Sequence, residues 1–398
     1  MPVWVPKYRS PAVVRPLIPP CINRSHTDLG HNRLASVRSS SSSLKGPHIR
    51  TNFPDPCILS QEGISYAFAT NNRKASPELV HVQVAKSSDN ETWTVLHGHD
   101  AMPLTASWET GGAVWAPDVK QLPDGTFLLY YTDSLKTNPS THCIGAATSK
   151  HVLGPYRPLQ DPLVCPSAGA IDPAGFFDRT TGKRYIIYKI DGNSLGNGGS
   201  CSNDVFPIIS TPLMLQEVDA YDGISLIGRP IQILDREARD GPLIEAPAMF
   251  LSSGGIYFLF YSANCFTTPL YHTSYATATN IRGPYTRAAR PLFMSGEGLD
   301  TEGPGGLDII HNSYATTDTT FYGSKQRRDK HMVESRMIVF HGRMNPYNDE
   351  TMRQIASGSR DGLQKPIKDL HLPFVRGMYS GTAYFKGRTA TISKGAGM

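Results

Sequence analysis

Hydrophobic positions in this chain come in short, aromatic-rich runs set behind glycine turns, and they alternate with polar ones rather than recurring at helical spacing. Ser65-Tyr66-Ala67-Phe68 follows Gly63, and Phe127-Leu128-Leu129-Tyr130-Tyr131 follows Gly125. Tyr185-Ile186-Ile187-Tyr188 follows Gly182, and Tyr257-Phe258-Leu259-Phe260-Tyr261 follows Gly255. Each run reads as a strand. Upstream of each glycine stands a proline beside or near a carboxylate: Phe53-Pro54-Asp55-Pro56, Trp115-Ala116-Pro117-Asp118, Ile171-Asp172-Pro173 and Glu245-Ala246-Pro247. One phrase is therefore stated four times.

Pro56, Pro117, Pro173 and Pro247 fall 61, 56 and 74 residues apart. Leu153-Gly154-Pro155-Tyr156 returns as Arg282-Gly283-Pro284-Tyr285, 129 residues on, about two intervals. Self-similar β segments at a nearly fixed period predict radial repetition. A fifth unit starts at Glu302-Gly303-Pro304-Gly305-Gly306, continues through Met337–Arg343, and ends on a last strand, Gly377–Phe385. The predicted fold class is all-β: a five-bladed β-propeller, a single domain over residues 51–398. Nothing sustains a helical period, so helices should be few.

Residues 1–50 read as a disordered or non-native N-terminal tail outside that domain, with early prolines and the serine run Ser39–Ser43. They carry eight Lys/Arg against Asp28, a balance of +7, so the net charge of +5 leaves the rest at 5 − 7 = −2. A mildly acidic body gives no reason to expect a nucleic-acid partner. No stretch approaches the roughly 18 apolar residues of a membrane span, and Arg15 and Pro16 break the best candidate for a signal-peptide core. The six cysteines form no C-x-x-C pair, so zinc is not expected. Their pairing is open; a Cys165–Cys201 bridge is one arrangement and buried free thiols are another. The glycine-rich Gly192–Asp204 loop lacks a following Gly-Lys-Ser/Thr, which excludes a phosphate cradle of that type.

In a propeller the innermost strand of each blade faces the axis. If the proline phrase marks those strands, Asp55, Asp172 and Glu245 converge on one mouth from three blades. Converging carboxylates repel, so a purely structural arrangement needs cations or hydrogen bonds. Hydrolysis of a glycosidic bond needs two such groups, one protonated and one ionised, and a third negative charge raises the acid's pKa. The bland alternative is an Asp that caps a turn before proline.

The order Phe-Pro-Asp-Pro, Trp-Ala-Pro-Asp, Ile-Asp-Pro and Glu-Ala-Pro resembles glycoside hydrolase family 43, over roughly residues 51–385. These are five-bladed propeller enzymes acting on arabinose- and xylose-containing polysaccharides. The resemblance implies Asp55 as general base, Asp172 as the group that tunes and orients the acid, and Glu245 as general acid. It implies inversion, with base and acid about 6.5–9.5 Å apart. Trp115, Asp118 and Arg343 are candidate substrate-binding residues. Many members place an axial histidine that helps hold a water-coordinated calcium; this chain has Gly306 there, with His341 or His311 as substitutes. No cofactor is required by this reading, and a central calcium stays open. The implied partner is a plant polysaccharide or oligosaccharide, with no nucleic acid and no membrane, and the protein is expected to be a monomer. Such a substrate suggests extracellular action, although no signal peptide is visible. Two other readings are a sugar-binding propeller without catalysis and the fructan- and sucrose-cleaving propellers. The latter's Asn-Asp-Pro-Asn-Gly and Arg-Asp-Pro motifs are absent.

Overall fold

The computed structural model describes residues 43–72, 79–192, 195–297, 301–311, 333–344 and 375–392. The first strand, β1 (Lys45–Ile49), precedes the four proline phrases. Blade 1 follows with β2 (Cys57–Gln61), β3 (Ile64–Ala69), β4 (Gln83–Ser87) and β5 (Thr94–Val95). Blade 2 holds β6 (Trp115–Gln121), β7 (Phe127–Ser134), β8 (His142–Ser149) and β9 (Arg157–Pro158). Blade 3 holds β10 (Ala170–Asp178), β11 (Lys183–Ile190), β12 (Leu213–Val218) and β13 (Leu226–Leu234). Blade 4 holds β14 (Ile244–Leu251), β15 (Tyr257–Ala263), β16 (His272–Ala278) and β17 (Thr286–Arg287). Blade 5 holds β18 (Thr301–Ile309), β19 (Glu334–Met344), β20 (Arg376–Lys386) and the short β21 (Thr389–Thr391). The only helical turns among the described residues are Ser200–Ser202 and Ala238–Asp240.

Blades 1 to 4 are antiparallel meanders, each strand paired with the next. The fifth sheet runs β1-β20-β19-β18, so the first described strand pairs with nearly the last described one and closes the ring. Closure matters because an open propeller would leave a free edge and an unburied blade face. It also moves the expected boundary: residues 43–50 belong to the propeller and not to a tail, while residues 1–42 lie outside the described residues. Five apolar clusters fill the five seams between neighbouring blades. One packs Phe68 and Val84 of blade 1 against Val119 and Leu129 of blade 2. The closing seam packs Ile49, Phe53 and Ile58 against Val339 and Met378.

The internal repeat holds in detail. Tyr156 Oη donates to the Val152 carbonyl and Tyr285 Oη to the Ile281 carbonyl, both at 2.9 Å. In every blade the residue just before the marker proline is left-handed: Asp55 (φ 53°), Ala116 (43°), Asp172 (55°), Ala246 (48°) and Gly303 (56°). This conformation is rare before proline and costs non-glycine residues roughly 1–3 kcal/mol. In blades 2 to 5 it coincides with a break in the register between the inner strand and its neighbour. Such bulges re-aim side chains, here at the mouth where the inner strands begin.

Two disulfides, Cys143–Cys165 and Cys201–Cys265, are present, with Cys57 a buried free thiol. The Cys165–Cys201 arrangement therefore does not occur. Cys201–Cys265 ties the Gly192–Asp204 loop of blade 3 to the loop after β15 in blade 4.

Candidate active site

At this point of each inner strand a backbone N–H is taken up by a side chain of the preceding blade, and in four of five cases that side chain stands on or directly after the preceding blade's second strand. Ala116 N–H donates to Thr70 Oγ1 (2.9 Å), Asp172 N–H to Thr132 Oγ1 (3.1 Å) and Gly306 N–H to Ser262 Oγ (2.9 Å). Asp55 N–H donates to His341 Nδ1 (3.0 Å), which joins blade 5 to blade 1. Blade 3 breaks the pattern. The position opposite Ile171, which elsewhere holds the acceptor, is Lys189, and an ammonium cannot accept. The Ala246 N–H instead reaches Asp172 Oδ2 at 3.0 Å, and Lys189 Nζ lies 3.5 Å from Glu245 Oε2. One substitution in a repeated ring thus gives both carboxylates their partners.

Asp55 accepts from Thr70 Oγ1 at 2.8 Å and lies 3.3 Å from Arg376 Nη1. Burial is the largest single influence and works against its charge, but the Arg376 guanidinium, the His341 ring and the Thr70 hydrogen bond together outweigh it and hold the carboxyl well below the usual carboxylate range. His341 is kept neutral, first by burial and then by Arg376, so the compensating charge belongs to Arg376. Asp172 goes the other way: burial first, then the Glu245 charge, push its carboxyl up to about 8, with Lys189 pulling it back. Glu245 is 9% exposed and accepts from Tyr271 Oη at 2.9 Å. The Tyr271 ring stacks on His341, 5.9 Å between centroids, and reaches inward because Gly305 beside it has no side chain; a Cβ there would lie 2.2 Å from the ring. The result is one carboxyl, Asp55, held as an anion and a second, Asp172, pushed the other way beside Glu245.

The three carboxylates expected to converge line this mouth together with these partners. Trp115 is half-buried beside them, its ring 4.5 Å from His142, which pairs with Asp191 at 2.8 Å. Arg343 stands on β19 opposite Glu302, with Nη1 donating to the Thr267 carbonyl at 2.8 Å. Asp118 points deeper. Its carboxylate meets Lys120 Nζ at 2.6 Å and accepts Gly175 N–H at 2.6 Å, so its partners are structural ones on the axis. Four residues escaped sequence reasoning: Lys189, Tyr271, Thr70 and Arg376. Lys189 had a signal, a lysine inside the apolar run Tyr185–Ile190. Tyr271 and Arg376 had none, since one follows a loop and the other opens the third strand of its blade.

The residues do not fit a directly ligated calcium. A Cβ at Gly306 would lie 2.7 Å from His341 Nδ1, so the His341 ring fills the place of the family's axial histidine. Accepting the Asp55 N–H at Nδ1 puts the His341 proton on Nε2, which is buried without a partner among the described residues and cannot bind a cation. Calcium takes six to eight oxygens. The one close group of three ligand-type side chains among the described residues, Cys57, Asp118 and Asp308, already has the Lys120 ammonium at Asp118. His311 lies toward the other mouth, 5.9 Å from Phe176.

The site is thus a cluster of three carboxyls at one mouth of a closed five-bladed propeller. The sequence profile of glycosyl hydrolases family 43 matches residues 44–349, and the chain belongs to that family. It is 30% identical over 166 residues to an extracellular endo-alpha-(1->5)-L-arabinanase of Thermotoga petrophila, covering 34% of this chain and 33% of that protein. It is 28% identical over 169 residues to a beta-xylosidase of Formosa agariphila, covering 40% of this chain and 25% of that one. The matched stretch thus spans a third or less of either relative. Among solved structures, a thermostable family-43 glycoside hydrolase superposes with a TM-score of 0.61 at 20% identity, over 87% of this chain and 93% of that one.

Proposed function

We propose that this protein cleaves arabinofuranosyl or xylosyl linkages in plant cell-wall polysaccharides such as arabinan and arabinoxylan, with inversion at the anomeric carbon. The observation that carries the reading is geometric: Asp55 lies 3.3 Å from the Arg376 guanidinium, while Glu245 is held by Tyr271 and Lys189 beside Asp172, so that Asp55 is kept ionised and burial and the Glu245 charge push Asp172 up to about 8. Asp55 takes a proton from a water as its oxygen attacks the anomeric carbon. The bond to the leaving oxygen breaks as Glu245 protonates that oxygen. Asp172 is the neighbouring carboxyl that keeps a proton on the pair, and two carboxyls that feel each other this strongly titrate as one unit. Tyr271 and Lys189 position Glu245; Arg376 and Thr70 position Asp55. Trp115 offers an aromatic face to a sugar ring, and Arg343 a guanidinium at the rim.

The test is hydrolysis of aryl α-L-arabinofuranoside and aryl β-D-xyloside, followed by the product profile on linear and branched arabinan. Release from either glycoside, with the anomer first formed inverted by proton NMR, supports the reading. Binding without release would leave a sugar-binding propeller. The Gly192–Asp204 loop is one of two segments expected to decide between endo and exo action; the other, Ser324–Glu334, lies almost wholly outside the described residues.

A further inference from the structure

At the end of the axis away from the carboxylates, where the inner strands finish, the channel opens into a cavity of about 220 Å³. All five blades contribute to it, and among the described residues no Asp or Glu lines it, while Lys120, Arg179, Arg184 and Arg336 do. Arg184 is the informative residue. It is 3% exposed, and its one side-chain hydrogen bond among the described residues runs from Nε to the Ala220 carbonyl at 3.3 Å. It makes no ion pair among the described residues. Its guanidinium carbon lies over the Phe177 ring, 5.3 Å from the centroid. Arg336 is placed in the same way over Phe250, at 5.4 Å, and its Nε is buried without a partner. Glu334 takes up part of the Arg336 charge, and Asp118 beneath takes up that of Lys120. His311, also in the lining, is kept neutral by burial and by the Lys120 charge.

A buried guanidinium without a carboxylate is costly unless an anion meets it. Two guanidiniums braced on aromatic faces present rigid forks of the kind that bind carboxylate or phosphate oxygens in pairs. We propose that this mouth is a second ligand site, for a small oxyanion, separate from the proposed active site at the other end of the axis. The cavity is below the roughly 300–1,000 Å³ of a drug-sized pocket, so the occupant is at most one ring with its substituents. The oxyanion could be the carboxylate of an acidic sugar or an inorganic phosphate; the chemistry of recognition is the same.

Calorimetric titration at fixed ionic strength with D-galacturonate, inorganic phosphate and neutral D-galactose tests it. At least one anion is expected to bind with one-to-one stoichiometry, and galactose is not. Galacturonate alone would identify an acidic sugar, and phosphate alone an inorganic anion. Arg184→Met should weaken that binding at least tenfold, without lowering Tm, because it removes an unpaired buried charge and keeps the stem. Its hydrolysis of an aryl glycoside should stay within twofold of the parent. Arg336→Gln should weaken binding likewise, and it carries the test if the first variant fails to fold. Absence of binding by both anions, or binding that both variants leave intact, overturns the proposal.

Discussion

Lys189 Nζ lies 3.5 Å from Glu245 Oε2 in the one blade whose ring position cannot accept a backbone hydrogen bond. Lys189 is 1% exposed, so its charge acts on the Asp172–Glu245 pair with little screening. Lys189→Met removes that charge and keeps the length. Loss of a nearby cation favours the protonated form, so the basic limb of the kcat/KM profile should move to higher pH, by about 1–3 units. A pH–rate profile checks this; an unmoved limb would mean that Lys189 is only packed there.

Asp172→Asn should move the same limb to lower pH, because less negative charge lets Glu245 ionise sooner. Opposite displacements in these two variants are a signature that general misfolding cannot produce.

Asp55 and Asp172 should also have opposite effects on stability. The Asp172 carboxyl is raised in the folded state, so stability falls as pH climbs from its ordinary value near 3.8 toward about 8. Asp172→Asn, which still accepts the Ala246 N–H, should raise Tm at pH 7 by about 2–4 °C. The Asp55 carboxyl is depressed, so its contribution is present at neutral pH and is lost as acid titrates it. Asp55→Asn should lower Tm at pH 7, leaving Arg376 without its anion. Thermal melts from pH 4 to 9 separate the two signs.

Removing residues 1–50 takes away β1 and with it Leu44 and Ile49, which are 8% and 3% exposed. At about 1.5–3 kcal/mol for each buried side chain, and with the β20 edge laid open, the truncated chain should melt well below the parent. Equal melting temperatures would show that the closing strand contributes nothing.

The sequence carried the blade count and the three carboxylates because both lie in a repeated local phrase: a proline, a left-handed residue and a glycine turn behind it. It did not carry closure, because Lys45–Ile49 pairs with a strand more than 300 residues away and has no copy of the phrase. Asp118 stands apart from Asp55 and Asp172 by its place in the phrase. It follows its proline where they precede theirs, and that shift turns it down the axis to Lys120. The partners of the carboxylates were legible only where composition clashed with context, as at Lys189. Arg376 and Tyr271 reach the mouth through tertiary placement, which no local pattern encodes.

The division of labour between Glu245 and Asp55 is the central claim, and the dependence of rate on leaving group tests it most directly. Glu245→Ala removes the proton donor, which a sugar leaving group needs and a dinitrophenolate does not. Its rate should fall by about 10²–10⁴-fold on arabino- or xylo-oligosaccharides and far less on a dinitrophenyl glycoside. Asp55→Ala removes activation of water, which both substrates need, so its loss should be of similar size on both. Equal leaving-group dependence in the two variants would contradict the assignment of acid and base, and full activity in both would reduce the carboxylates to turn caps.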